Sequence, residues 1–189
     1  MGKFDELKFE LFPEDADWGG DWIAKPQGYF RGETYMPHAH YHVGFQVFTA
    51  PLEMETPHFH HHAEEYMVFV GAKFPDFYES FDADIYLQMG RDPDHMETVH
   101  IDKPSVVRIP PNMWHCPIKM DIRKPMMFQA TYLAGTWARI GRRVRPDGTY
   151  EYVFDGDNIR MCKLNPAKKC IMCGKCMGGK ANVSFIEEV

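Results

Sequence analysis

No apolar run in the sequence approaches the roughly 18 residues that a membrane-spanning helix needs. The opening "MGKFDELKFELF" mixes charge into its apolar residues and lacks the uninterrupted stretch of a secretory leader. Glu6 stands where a myristoylation signal wants Ser or Thr. These absences predict a soluble, cytoplasmic chain with no membrane partner. An excess of positive charge is also missing: 27 acidic residues face 21 basic ones, for a net charge of −6. With no basic recognition helix either, nucleic acid is excluded as a general partner. Cysteine is scarce until the end of the chain. Cys116 stands alone, and Cys162, Cys170, Cys173 and Cys176 crowd the last thirty residues. An odd count with close CxxC spacing argues against a disulfide framework and for metal or redox chemistry.

A long helical period is lacking as well. What is present instead is a series of short apolar stretches separated by Pro, Gly and Asp. "VGFQVFTA", "EEYMVFVG", "ADIYLQMG", "TVHI", "SVVRI", "PIKM" and "MMFQATYL" read as strands. Pro146-Asp147-Gly148 marks a last hairpin between "RIGRRVR" and "TYEYVF". Strands at this spacing predict an all-β sandwich or barrel. Three parts are expected: a turn-rich N-terminal extension over 1–34 packing on the barrel, the barrel over 35–155, and a Cys- and Lys-rich tail over 156–189. The arginines of "ARIGRRVRP", Arg139, Arg142, Arg143 and Arg145, read as an edge strand guarded by charge, or as an anion site.

The densest polar cluster is "PHFHHHAEEYMVFVG", residues 57–71. His58 and His60 alternate, so on an extended segment their imidazoles share a face. Glu64 follows a short bend and shares a strand face with Tyr66, Val68 and Val70. His115 comes after the Pro-Pro-Asn turn of "RIPPNMWHC", where Asn112 tolerates the left-handed backbone that a tight reversal needs. His58, His60, Glu64 and His115 are therefore the expected metal ligands, a mixed N/O set suited to a borderline divalent ion. The pair His60 and His62 with Glu65 also alternates, at a tighter spacing. His61 is expected to point away from the metal.

"HFHHHAEEYMVFVG" resembles the first motif of the cupin superfamily: His-x-His, a short gap, Glu, and a closing Gly71. "PPNMWH" resembles the second motif, with about 40 residues between the two. The chain departs from the pattern at Leu52, Asn112 and Lys119, none of which is a metal ligand. The resemblance covers roughly residues 35–135. It implies a cupin-type double-stranded β-helix (jelly-roll) barrel, one divalent transition metal and a homodimer. Fe(II) or Mn(II) suits the site, with Zn(II), Ni(II) and Co(II) as further possibilities. The expected function is a metal-dependent enzyme acting on a small oxygen-rich or aromatic molecule. Dioxygenase chemistry comes first, then decarboxylase, lyase or isomerase chemistry. The alternative is a metal- or ligand-binding sensor with a responsive Cys tail.

Two motifs remain. "PHAHYHVGFQVF" at 37–48 is similar to the metal motif but has Val43 and Gly44 where that motif has its acids. His38, His40 and His42 are thus expected as cavity or outer-sphere residues, with Tyr66 and Gln46 as further lining. In the tail, C-x7-C-x2-C-x2-C would let Cys162, Cys170, Cys173 and Cys176 hold Zn(II) or an iron–sulfur cluster.

Overall fold

The computed structural model describes residues 5–14, 20–61 and 63–156. The expected sites at Cys162, Cys170, Cys173 and Cys176, and the ring of His62, lie outside the described residues. Within them there are thirteen strands, two single-turn 3-10 helices and no α-helix, so no helix is long and apolar enough to cross a membrane.

One antiparallel sheet contains β1 (Pro13–Glu14), β2 (Gln27–Arg31), β3 (His42–Phe48), β6 (Glu65–Gly71), β9 (Ser105–Ile109) and β11 (Met126–Tyr132), in the order β1-β2-β3-β11-β6-β9. The second contains β4 (Leu52–Met54), β5 (His58–Phe59), β7 (Ala83–Gly90), β8 (Glu97–Ile101), β10 (Trp114–Ile122), β12 (Ala138–Val144) and β13 (Tyr150–Gly156). Its order is β13-β12-β5-β10-β7-β8, with β4 also paired to β10. All the ladders are antiparallel. β12 lies between β13 and β5 and is no edge strand, which corrects the reading of its arginines. Their charge is instead matched pair by pair: Arg139 to Glu55 and Asp155, Arg142 to Asp94, and Arg143 and Arg145 to Glu151.

The core fills one end of the space between the sheets. Phe48, Phe69 and Phe128 meet Ile85, Leu87, Ile118 and Met120 there, all 3% exposed or less. The Phe48 and Phe128 rings stack at 5.4 Å. Each such side chain contributes about 1.5–3 kcal/mol through burial, so this packing sets which face of each strand turns inward. On β6 the inward residues are Glu65, Met67, Phe69 and Gly71; Tyr66, Val68 and Val70, with Glu64 just before the strand, face the other way. Gly71 is required by crowding, because a Cβ there would lie 2.1 Å from Ser80 Oγ and 2.6 Å from the Phe81 nitrogen.

The N-terminal residues are part of the sheet. β2 pairs with β3, and Ile23 bridges to Phe48 and enters the core. A second apolar cluster, Phe59, Trp114 and Ile140, backs β5, with the Phe59 and Trp114 rings 4.8 Å apart. It presses the short β5 onto its neighbours and fixes the direction of His58 and His60.

Asn112 has φ of +64°, as the turn reading requires. Its N–H donates to the His60 carbonyl at 2.8 Å, and its side-chain oxygen accepts from His61 Nδ1. The two histidine motifs are thereby tied at their mouths. Asn112→Val is expected to destabilise the chain by about 1–2 kcal/mol in urea unfolding, because a β-branched residue resists positive φ. Asn112→Gly should restore most of that loss.

Candidate metal centre

His58, at the start of β5, stands directly opposite His115 on β10. His60 follows one residue beyond β5. The imidazole nitrogens of these three residues lie within 4.8 Å of one another, and the residues are 4%, 0% and 3% exposed for His58, His115 and His60. β10 needs an irregularity to achieve this. Its register to β7 shifts between His115 and Ile118, with Cys116 at φ +68°. Strict alternation would place His115 on the face of Lys119 and Asp121. The bulge changes the phase, so His115, Ile118, Met120 and Ile122 all turn inward.

The fourth group comes from the opposite sheet, and it is Glu65. The Glu65 Oε2 atom lies 3.1 Å from His115 Nε2 and 3.3 Å from His60 Nε2, and the residue is fully buried. Glu64 is turned outward, where it accepts from Arg108 and from Tyr66. The expectation of Glu64 as ligand is therefore corrected to Glu65. The sequence argument chose Glu64 by its spacing from His60 and from Gly71 across a bend, and that spacing leaves the phase of the following strand open, since residues 61, 63 and 64 belong to no strand. The phase of β6 is set afresh by Met67 and Phe69 in the core. Tyr66 shares the outward face and does not line the cavity. His61 turns to Asn112, as expected. In the other trio, His38 and His40 are exposed and only His42 is buried.

Each clustered imidazole is oriented by a backbone carbonyl. His58 Nδ1 donates to Thr56 O at 2.7 Å, His60 Nδ1 to Ala138 O at 2.6 Å and His115 Nδ1 to Met113 O at 3.0 Å. A carbonyl only accepts, so the proton of each neutral ring sits on Nδ1 and the lone pair on Nε2. Burial, and then the neighbouring His115 and His60, push the His58 pKa well below the ordinary histidine value. Burial alone would raise the Glu65 carboxyl; positive charge at Nε2 of His115 and His60, whether a proton or a metal ion, outweighs it and holds the carboxyl well below the usual carboxylate range. Three lone pairs and an ionised carboxylate thus converge in a buried site. Both Glu65 oxygens and the Nε2 atoms of His60 and His115 are buried without a hydrogen-bond partner. Only positive charge satisfies this donor set, and one divalent transition metal satisfies every member at once.

The two histidine motifs meet inside one end of two facing antiparallel sheets, and the carboxylate arrives from the sheet opposite the imidazoles. The fold is an all-β barrel of two antiparallel sheets, consistent with the expected jelly roll. No family model and no curated protein matches the sequence. Among solved structures, an oxalate oxidase aligns with TM-score 0.47 at 9% identity, over 69% of this chain and 61% of that one. A variant of Bacillus subtilis oxalate decarboxylase aligns with TM-score 0.46 at 11% identity, over 69% of this chain and 29% of that one. Peruvianin-I, a cysteine peptidase from Thevetia peruviana latex, gives 0.48 at 8%, over 71% and 76%. The chain spans about six-tenths of the oxalate oxidase and three-tenths of the decarboxylase.

A cavity of about 390 Å³ opens from the donor cluster between the sheets. That volume lies in the range of pockets that enclose small organic molecules. Met54, Met67, Ile118 and Phe128 form apolar wall, while Gln46, His42 and Tyr132 form polar wall. Gln46 and His42 carried weak sequence signals; Tyr132, Arg31 and Trp137 carried none, because their direction depends on partners distant in the chain. Burial, followed by the charge of Arg31, pushes the His42 pKa down to about 4. The folded chain thus resists a proton that the unfolded chain accepts near pH 6.5. Stability is therefore expected to fall as the pH drops from about 6.5 to about 4, with up to about 3 kcal/mol traceable to this residue. Urea unfolding of metal-free protein at pH 7 and pH 4.5 should show a smaller loss for His42→Gln than for the parent.

Proposed function

We propose that the chain is a metal-dependent enzyme. It binds one divalent transition metal through Nε2 of His58, His60 and His115 and a carboxylate oxygen of Glu65. The carrying observation is the set of three carbonyl-oriented imidazoles whose lone pairs meet a buried, ionised carboxylate. The ligand types favour Fe(II) or Mn(II) over soft ions such as Cu(I). When bound, such an ion polarises an oxygen-donor substrate and supports oxygen-dependent or carbanion chemistry.

The chain's own residues supply the rest. The apolar wall keeps bulk water from the reacting group, and His42, Gln46 and Tyr132 offer hydrogen bonds along the opposite wall. The neutral His42 ring can donate one hydrogen bond and accept another near neutral pH. This arrangement fits a small oxygen-rich molecule with an apolar body, with dioxygenase chemistry ranked first and decarboxylase, lyase or isomerase chemistry after it. Protein purified without air should contain one barrel metal per chain by elemental analysis. His60→Ala should lose it, and His61→Ala should retain it, since His61 holds Asn112 rather than the cluster. Equal metal content in both variants would overturn the ligand set. Oxygen uptake on presentation of small acids and catechols separates the dioxygenase reading from the non-oxidative ones.

A further inference from the structure

One rung of the first sheet is polar from edge to centre. Arg31 on β2 stands opposite His42 on β3, His42 opposite Tyr132 on β11, and Tyr132 opposite Glu65 on β6. All four side chains line the cavity. Glu65 is the metal end of this rung. Its other end has no part in holding a metal, yet it is built with care. His42 is 5% exposed, lies edge-on to the Tyr132 ring at 5.6 Å, and its Nδ1 has no hydrogen-bond partner. Beside it Gln46, 8% exposed, donates from Nε2 to the Tyr29 hydroxyl at 2.8 Å, and that hydroxyl is in turn bonded to Gln27. Gln46 Nε2 carries a second N–H. Gly44 makes room for this arrangement, because a Cβ there would lie 2.9 Å from the Tyr29 ring. Arg31 brings positive charge to the same end, anchored at 2.8 Å by Glu14.

We propose that Arg31, His42 and Gln46 form a second ligand-binding pole, and that the cavity holds a two-ended organic acid. One oxygen-donor end sits at the imidazole cluster and a carboxylate sits at this pole. The proposal rests on the metal reading given above. β3 and β6 are separated by one strand, so their backbones lie two interstrand steps, or about 10 Å, apart. Contacts of about 3 Å at each end leave room for an acid of about four or five carbons. Its hydrocarbon middle passes over Met67 and Phe128 on one side and Met54 and Ile118 on the other. A two-carbon acid reaches one pole only.

Calorimetric titration of the Mn(II)-loaded chain tests this with oxalate, succinate and glutarate against butanoate and pentanoate, with metal per chain counted in the same samples. Succinate or glutarate should bind at least about tenfold more tightly than the monoacid of equal length, as expected for a charge-assisted hydrogen bond at the far end. Oxalate reaches the metal end only, so its affinity should be the same in the parent, His42→Phe and Gln46→Leu chains. His42→Phe and Gln46→Leu should each reduce the diacid advantage below about threefold while metal content is kept. Equal affinity for diacid and monoacid in the parent chain overturns the second pole, whether or not a variant folds. So does an advantage that survives both substitutions. A parent chain that takes up no metal defeats the metal reading instead, and the pole with it.

Discussion

Glu65→Gln strips the barrel of its metal and Glu64→Gln leaves it loaded; this is the expected result of elemental analysis on the two purified variants. The residues are adjacent and chemically identical, so only their direction separates them. Glu65 is fully buried, with Oε2 within 3.3 Å of two imidazole nitrogens. An amide at that place keeps the shape and loses the charge that offsets a divalent ion. Removal of supporting groups around metal sites already costs about 10–100-fold in affinity, so loss of this direct donor should exceed about 100-fold. Glu64 faces solvent with Arg108 and Tyr66, and Arg108 and Tyr66 hold its carboxyl below the usual range. Its replacement breaks an exposed pair, whose worth is small. Metal loss from the Glu64 variant together with retention in the Glu65 variant would show that β6 runs in the opposite phase.

The same phase has a second consequence, in stability. Phe69→Ala should destabilise the metal-free chain by about 3–5 kcal/mol in chemical unfolding, and Val68→Ala by about 1 kcal/mol. Phe69 is 0% exposed and packs against Phe128, with ring centroids 5.3 Å apart, so truncation opens a cavity that the two sheets cannot close. Val68 is half-exposed on the outer face. Comparable losses at the two positions would contradict the inward assignment of Glu65, because Glu65 and Phe69 lie on one face of one strand.

Much of this was legible beforehand. The strands expected at 83–90 and 105–109 are β7 and β9 residue for residue, and the others differ by a few positions at their ends. Short apolar stretches bounded by turn residues are local signals, and local backbone preference suffices to place them. Asn112 was readable for the same reason: a left-handed turn position is a property of a few neighbouring residues. The histidines at 58, 60 and 115 were readable because ligand-type side chains at alternating positions are costly without a common purpose.

The sequence by itself determined the all-β class, most strands, the Asn112 turn and the three-imidazole cluster. Which glutamate meets that cluster was decided by tertiary structure. Strand alternation is broken at residues 61, 63 and 64, which belong to no strand, and the burial of Met67 and Phe69 sets the phase of β6 beyond them. The Cys116 bulge likewise turns both His115 and Ile118 inward, a result no strict two-residue period allows. Of the first trio, only His42 reaches the cavity, because Arg31 and Tyr132 flank it on neighbouring strands that come from opposite ends of the barrel sequence. Such choices depend on which distant segments a strand is packed against, and burial against those segments outweighs anything the local pattern contributes.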